Sequence, residues 1–196
     1  MNQDNPSSST PPPGSTFTIH FDSKEQNKLQ LQTAKLWYNN AYYTGDVPSN
    51  SILNFGGSGT KEYPHWHFTA YVSLAYSWEN TPSWQNFTKF DLPGVHMAQH
   101  SLGGVPPHTD GWEQYQLAGL FANVNFKATK LNMNSVQFEP VQVEAFVPSL
   151  VFALSKNTTL QQVSLIGTSP LVNTSPIELY LQAEFPNIKF AFTTPT

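Results

Sequence analysis

Between Tyr63 and Trp78 the residues alternate by kind. Trp66, Phe68, Ala70, Val72, Leu74, Tyr76 and Trp78 are apolar or aromatic, whereas His65, His67, Thr69, Tyr71, Ser73, Ala75 and Ser77 are mostly polar. Successive side chains of a strand point to opposite faces, so this spacing predicts one long strand with a buried and an exposed face.

The same two-residue period recurs along the chain. Phe17–Phe21 predicts a short first strand and Lys28–Tyr38 a second, with a bulge near Thr33 where the apolar phase slips by one. Residues 39–51 read as a loop and Ile52–Phe55 as a strand. Further strands are expected at Leu120–Phe126, Leu131–Met133, Val136–Phe138, Val141–Val147, Leu150–Leu154, Val163–Ile166, Ile177–Phe185 and Ile188–Phe192. Leu150–Leu154 is continuously apolar, as a strand buried on both sides would be. Only Glu113–Phe121 has the pattern of a brief coil. About ten short strands separated by polar turns predict an all-β fold, a single-domain β-sandwich of jelly-roll type. The chain of 196 residues suits one such domain.

The expected organisation is a flexible Pro/Ser-rich arm over residues 1–16 and a β-sandwich over 17–196. The arm is either a tail or a segment that docks on a neighbouring subunit. Residues 79–113 read as a long ordered loop, rich in proline, glycine and aromatic side chains. Lys28-Leu-Gln-Leu and Lys130-Leu-Asn-Met echo one another, as a duplicated half-sandwich or chance alternation would produce.

Charge excludes several functions. Only 11% of residues are charged, against ~25% in an ordinary domain. All nine basic residues are lysines, scattered along a chain of net charge −4. Arginine forms the bidentate contacts to phosphate and guanine, and a nucleic-acid binder needs a basic stripe, so nucleic acid is not an expected partner. Cysteine is absent. That removes disulfides, thiolate metal sites and thiol nucleophiles. No apolar run has the length of a membrane span, so no transmembrane segment is expected. No basic-then-apolar leader opens the chain. Asn, Gln, Ser and Thr carry the polarity. Together these features point to an extracellular or virion-associated protein without a conventional signal peptide, in preference to a cytoplasmic one.

Two groups of residues carry possible chemistry. His65 and His67 stand two apart on the expected strand, where both imidazoles reach one metal, and His96, His100 and His108 follow in the long loop. Such a set suits zinc or copper. No other cofactor motif is present: Gly56–Thr60 lacks the Gly-Lys-Ser/Thr ending of a phosphate loop. The second group is aromatic. Tyr42, Tyr43, Trp84 and Trp112, with Asp110 nearby, fall on expected loops among amides. Flat rings stack on sugars or on protein surfaces, with polar neighbours to bind hydroxyls. Asn86-Phe-Thr, Asn157-Thr-Thr and Asn173-Thr-Ser match the glycosylation acceptor pattern.

No nucleophile–base motif accompanies these residues. The sequence therefore favours a non-catalytic recognition protein that binds a glycan or another surface through aromatic loops. The alternatives are a self-associating structural subunit of a virion, capsid or sheath, and a His-ligated metalloprotein or enzyme.

Overall fold

Phe17, Leu53, Phe90, Leu131, Val163 and Phe190 stand opposite one another across six neighbouring parallel strands. All six are buried. They form the central row of a computed structural model that describes residues 10–20, 34–54, 74–91, 119–133, 140–165 and 175–192. The strands are β1 (Thr16–His20), β2 (Lys35–Tyr38), β3 (Ala41–Tyr43), β4 (Ser51–Asn54), β5 (Phe87–Asp91), β6 (Lys130–Asn132), β7 (Gln162–Ser164) and β8 (Lys189–Ala191). They make one sheet in the order β3-β2-β1-β4-β5-β6-β7-β8. Only β1–β2 and β2–β3 are antiparallel.

Helical segments supply the second layer: residues 74–80, a 3₁₀ turn at Pro82–Asn86, residues 119–121, α1 (Pro140–Ser155) and α2 (Ser175–Glu184). Their buried side chains, among them Trp78, Phe121, Leu154 and Leu181, join the inner row of the sheet in one core cluster. The fold is therefore α/β with a mostly parallel sheet. It is not the all-β, jelly-roll sandwich of about ten strands that the alternation suggested.

The errors share one physical cause. A two-residue alternation contains every i, i+4 pair, so it also fits a helical stripe. Ile177, Leu179, Leu181, Ala183 and Phe185 read as one strand face, yet they lie in or just after α2. There Ile177 and Leu181 are buried, while Leu179 is 72% exposed. The expected strands Val141–Val147 and Leu150–Leu154 are one helix, α1, with Leu150, Ala153 and Leu154 buried at helical spacing. Pro148 sits inside α1 and is exposed, on the side where a missing amide hydrogen bond faces water. The end of the organising stretch is also helical: Leu74, Ser77 and Trp78 are buried and Tyr76 is exposed. Its residues 63–73 lie outside the described residues, as do the bulge near Thr33, Val136–Phe138 and residues 92–113 of the long loop; residues 79–91, expected as loop, instead hold the end of a helix, the 3₁₀ turn and β5. Leu120–Phe126 is the end of a helical segment followed by turns. The short strands at Phe17, Ile52, Leu131, Val163 and Phe190 lie where the sequence placed them.

From β4 to β8 each strand pairs with the next one in the chain. Strand, connection and helix recur as a unit that stacks on its predecessor, which is the logic of a solenoid. Asparagine amides tie successive units together. Asn86 Nδ2, ahead of β5, donates to the carbonyl of Val47, ahead of β4, at 2.8 Å. Asn125 Nδ2, ahead of β6, donates to Trp78 and Glu79 carbonyls at 3.0 and 3.1 Å. Asn157 Nδ2, ahead of β7, donates to Phe121 at 2.9 Å. The acceptor patterns at Asn86 and Asn157 are thus occupied by inward hydrogen bonds.

Aromatic rings fill the space between the layers. Trp78, fully buried, meets Trp84, Phe87, Phe90 and Phe126 at centroid distances of 4.9–5.8 Å. Its indole Nε1 donates to the Asn125 carbonyl at 2.8 Å, so the ring brings no unpaired polar group into the core. The described part of the proline-rich arm runs beside β4, with Gly14 N–H donating to Ser49 and Ile52 N–H to Ser15. Among the described residues no helix is long and apolar enough to cross a membrane.

Candidate functional site: an aromatic pocket at the sheet edge

Asn39 and Asn40 both have positive φ, 50° and 63°. A two-residue turn with both central residues in this region is the type I′ hairpin, and asparagine tolerates it better than most side chains. The turn closes β2 against β3 and sets Trp37 opposite Tyr42 and Leu36 opposite Tyr43. Adjacent residues of β3 therefore point to opposite faces.

Tyr43 turns toward the core. Its ring lies 5.1 Å from Phe17 and 6.3 Å from Tyr38, and its hydroxyl donates to the Asp46 carbonyl. Burial pushes the phenol pKa up, and the Asp46 carboxylate adds to the rise, so Tyr43 is a neutral donor near pH 7. A methyl group on Gly45 would meet this hydroxyl at 2.7 Å, so the glycine keeps the ring's place open. Tyr42 turns the other way and is 45% exposed. Trp37 packs against it edge to face at 4.8 Å, and Lys35 Nζ lies 5.3 Å from its ring centroid.

The 3₁₀ turn forms the opposite wall. Its Trp84 is only 4% exposed and packs against Trp78 and Phe87. Ser83 Oγ accepts from Val47 N–H at 3.1 Å, and Asn86 donates to the Val47 carbonyl, which ties the turn to the loop after β3. Between turn and hairpin lies an open pocket of about 340 Å³, lined by Ala34, Lys35, Leu36, Tyr42, Tyr43, Thr44, Gly45, Thr81 and Trp84.

Three residues nominated from sequence, Tyr42, Tyr43 and Trp84, thus meet at one pocket. Tyr42 and Tyr43 are on a strand and Trp84 is in the core layer, whereas all three were expected on loops. Trp112, Asp110 and the candidate metal ligands His65, His67, His96, His100 and His108 lie outside the described residues. Among the described residues no three His, Cys, Asp or Glu side chains gather as a metal would require. Sequence reasoning did not find Lys35, Thr44, Gly45 or Thr81. The signal was present in Trp37-Tyr38-Asn39-Asn40-Ala41-Tyr42, an asparagine pair between aromatic segments. No protein-family model matches the chain, and neither the curated proteins nor the solved structures provide a significant match.

Proposed function

We propose that the chain is a non-catalytic recognition protein whose edge pocket binds a glycan. The observation that carries this reading is the pocket lining: three aromatic residues, Tyr42, Tyr43 and Trp84, beside Thr44, Thr81 and Lys35. The volume is that of a small-ligand site. The apolar C–H face of a sugar stacks on a ring such as Tyr42, while its hydroxyls pair with Lys35 and Thr44 beside that ring. The lining residues include no carboxylate and no imidazole. A proton-transfer pair, the usual minimum for hydrolysis at neutral pH, is therefore not among them.

A glycan array probed with the full chain tests the reading. Specific hits are expected, and Tyr42→Ala should weaken them about tenfold, the scale of a lost stacking contact. Because Tyr42 is exposed, the variant should melt with the parent. A blank array on folded protein, or hits indifferent to Tyr42→Ala, would overturn the proposal.

A further inference from the structure

The sheet has a second face. In β5 to β8 the residues on either side of the buried row point away from the helices. Register sets Lys89, Lys130, Gln162 and Lys189 side by side in one cross-strand row. Asp91, Asn132 and Ser164 form the next row. Two contacts fix this orientation: Asn132 Nδ2 donates to Asp91 Oδ1 at 2.9 Å, and Lys89 Nζ lies 3.9 Å from the same oxygen. Lys130 and Lys189 are exposed. Neither forms an ion pair with another described residue.

Such a row opposes folding. Like charges on directly opposed positions repel, and Lys89 and Lys130 are direct neighbours. In a chain of net charge −4 with only nine lysines, three of them share one short row. Asp91 is the sole carboxylate on the outward positions of the described strands. We infer that this row is the docking surface for an acidic, extended protein segment. The complement of the row is a line of carboxylates at matching spacing. Four strands at ~4.8 Å make the row about 14 Å long, the reach of roughly four extended residues. Gln162 and Asn132 offer amides to the backbone of such a segment. Nucleic acid fits less well: three ammonium groups without arginine neutralise too few phosphates against a negative chain. The inference does not rest on the edge pocket, whose lining shares none of these residues.

The test is fluorescence anisotropy with the full chain and a labelled Glu-Gly repeat peptide, its Gln-Gly counterpart, a heparin oligosaccharide and a DNA oligonucleotide. The Glu peptide should bind, weaken as salt rises, and lose about tenfold in the triple variant K89Q/K130Q/K189Q, as three exposed ion pairs predict. K127Q/K156Q, which neutralises two lysines outside the strands, should bind as the parent does. Three results would each overturn the inference: no binding by the Glu peptide, equal binding by the triple variant, or tighter binding of heparin or DNA than of the peptide. Should the triple variant fail to fold, the Glu-against-Gln comparison and the salt titration on the parent still decide.

Discussion

Asn157 concentrates more hydrogen bonding than any surface count would assign to one amide. Its Nδ2 donates to the Phe121 carbonyl at 2.9 Å, and its Oδ1 accepts from the N–H groups of Thr159 and Leu160 at 2.9 and 2.8 Å. It joins the end of α1 to the turn before β6 and aims Leu160, which is buried, into the core. Asn157→Ala removes all three bonds. At about 1 kcal/mol net for each, less what water restores at this part-exposed site, the expected loss is about 2–3 kcal/mol. For a chain of this size that lowers the melting temperature by about 5–10 °C. Asn157→Asp keeps the acceptor for both N–H groups but sets a carboxylate oxygen against the Phe121 carbonyl, so its cost should be at least the ~1 kcal/mol of the lost donated bond. Asn187, exposed in the turn ahead of β8, is the control, and its alanine variant should stay within ~0.5 kcal/mol of the parent. Urea unfolding followed by circular dichroism, compared at constant slope, measures all three. If Asn157→Ala costs less than ~0.5 kcal/mol, amides do not clamp the repeating units together.

Two further outcomes follow from the site. Because the folded state raises the Tyr43 pKa, the native chain holds that proton after the unfolded chain has released it. Its stabilising contribution is therefore complete below the unfolded pKa near ~10 and is lost as pH rises through the higher folded value. Absorbance titration should show one tyrosine lagging the exposed ones, and Tyr43→Phe should remove that step; an unchanged curve would place the lag elsewhere. Trp84 packs in the core, so Trp84→Ala should cost about 3–5 kcal/mol in chemical denaturation and Trp84→Phe much less. Equal effects of the two would mean that the indole's bulk is not what holds the 3₁₀ turn.

The strands were legible wherever the chain crosses the sheet briefly between turns. Leu131, Val163 and Phe190 each sit between two outward residues, and no helix could use so short a pattern. The helices were not legible, because α1 and α2 carry apolar residues on more than one face. Leu179 is exposed on α2, and it completed a false alternation with Ile177 and Leu181. Tertiary burial selected one stripe out of two that the sequence offered. Tyr42 and Tyr43 could be nominated by type, but their joining with Trp84 depended on a hairpin and a 3₁₀ turn far apart in the chain.

The amide-rich composition reads differently once the units are seen to stack. Asn86 and Asn157 look like solvated loop residues in the sequence and Asn125 like an outward strand residue, yet each donates to a carbonyl of the preceding unit. A buried turn carries backbone carbonyls that neither a helix nor a strand will satisfy, and an uncharged amide satisfies them without the desolvation cost of a charge. The signal for this repetition was an apolar pair three apart, its second member in the strand, at β5, β6 and β7: Phe87 with Phe90, Ala128 with Leu131, Leu160 with Val163. Strand order then limits where a ligand can bind. A doubly wound sheet opens a crevice where its order reverses; here β4 to β8 run in chain order and the order reverses once, between β1 and β4. The aromatic pocket lies at one end of this sheet and the lysine row on its outward face, the two places where we propose that binding occurs.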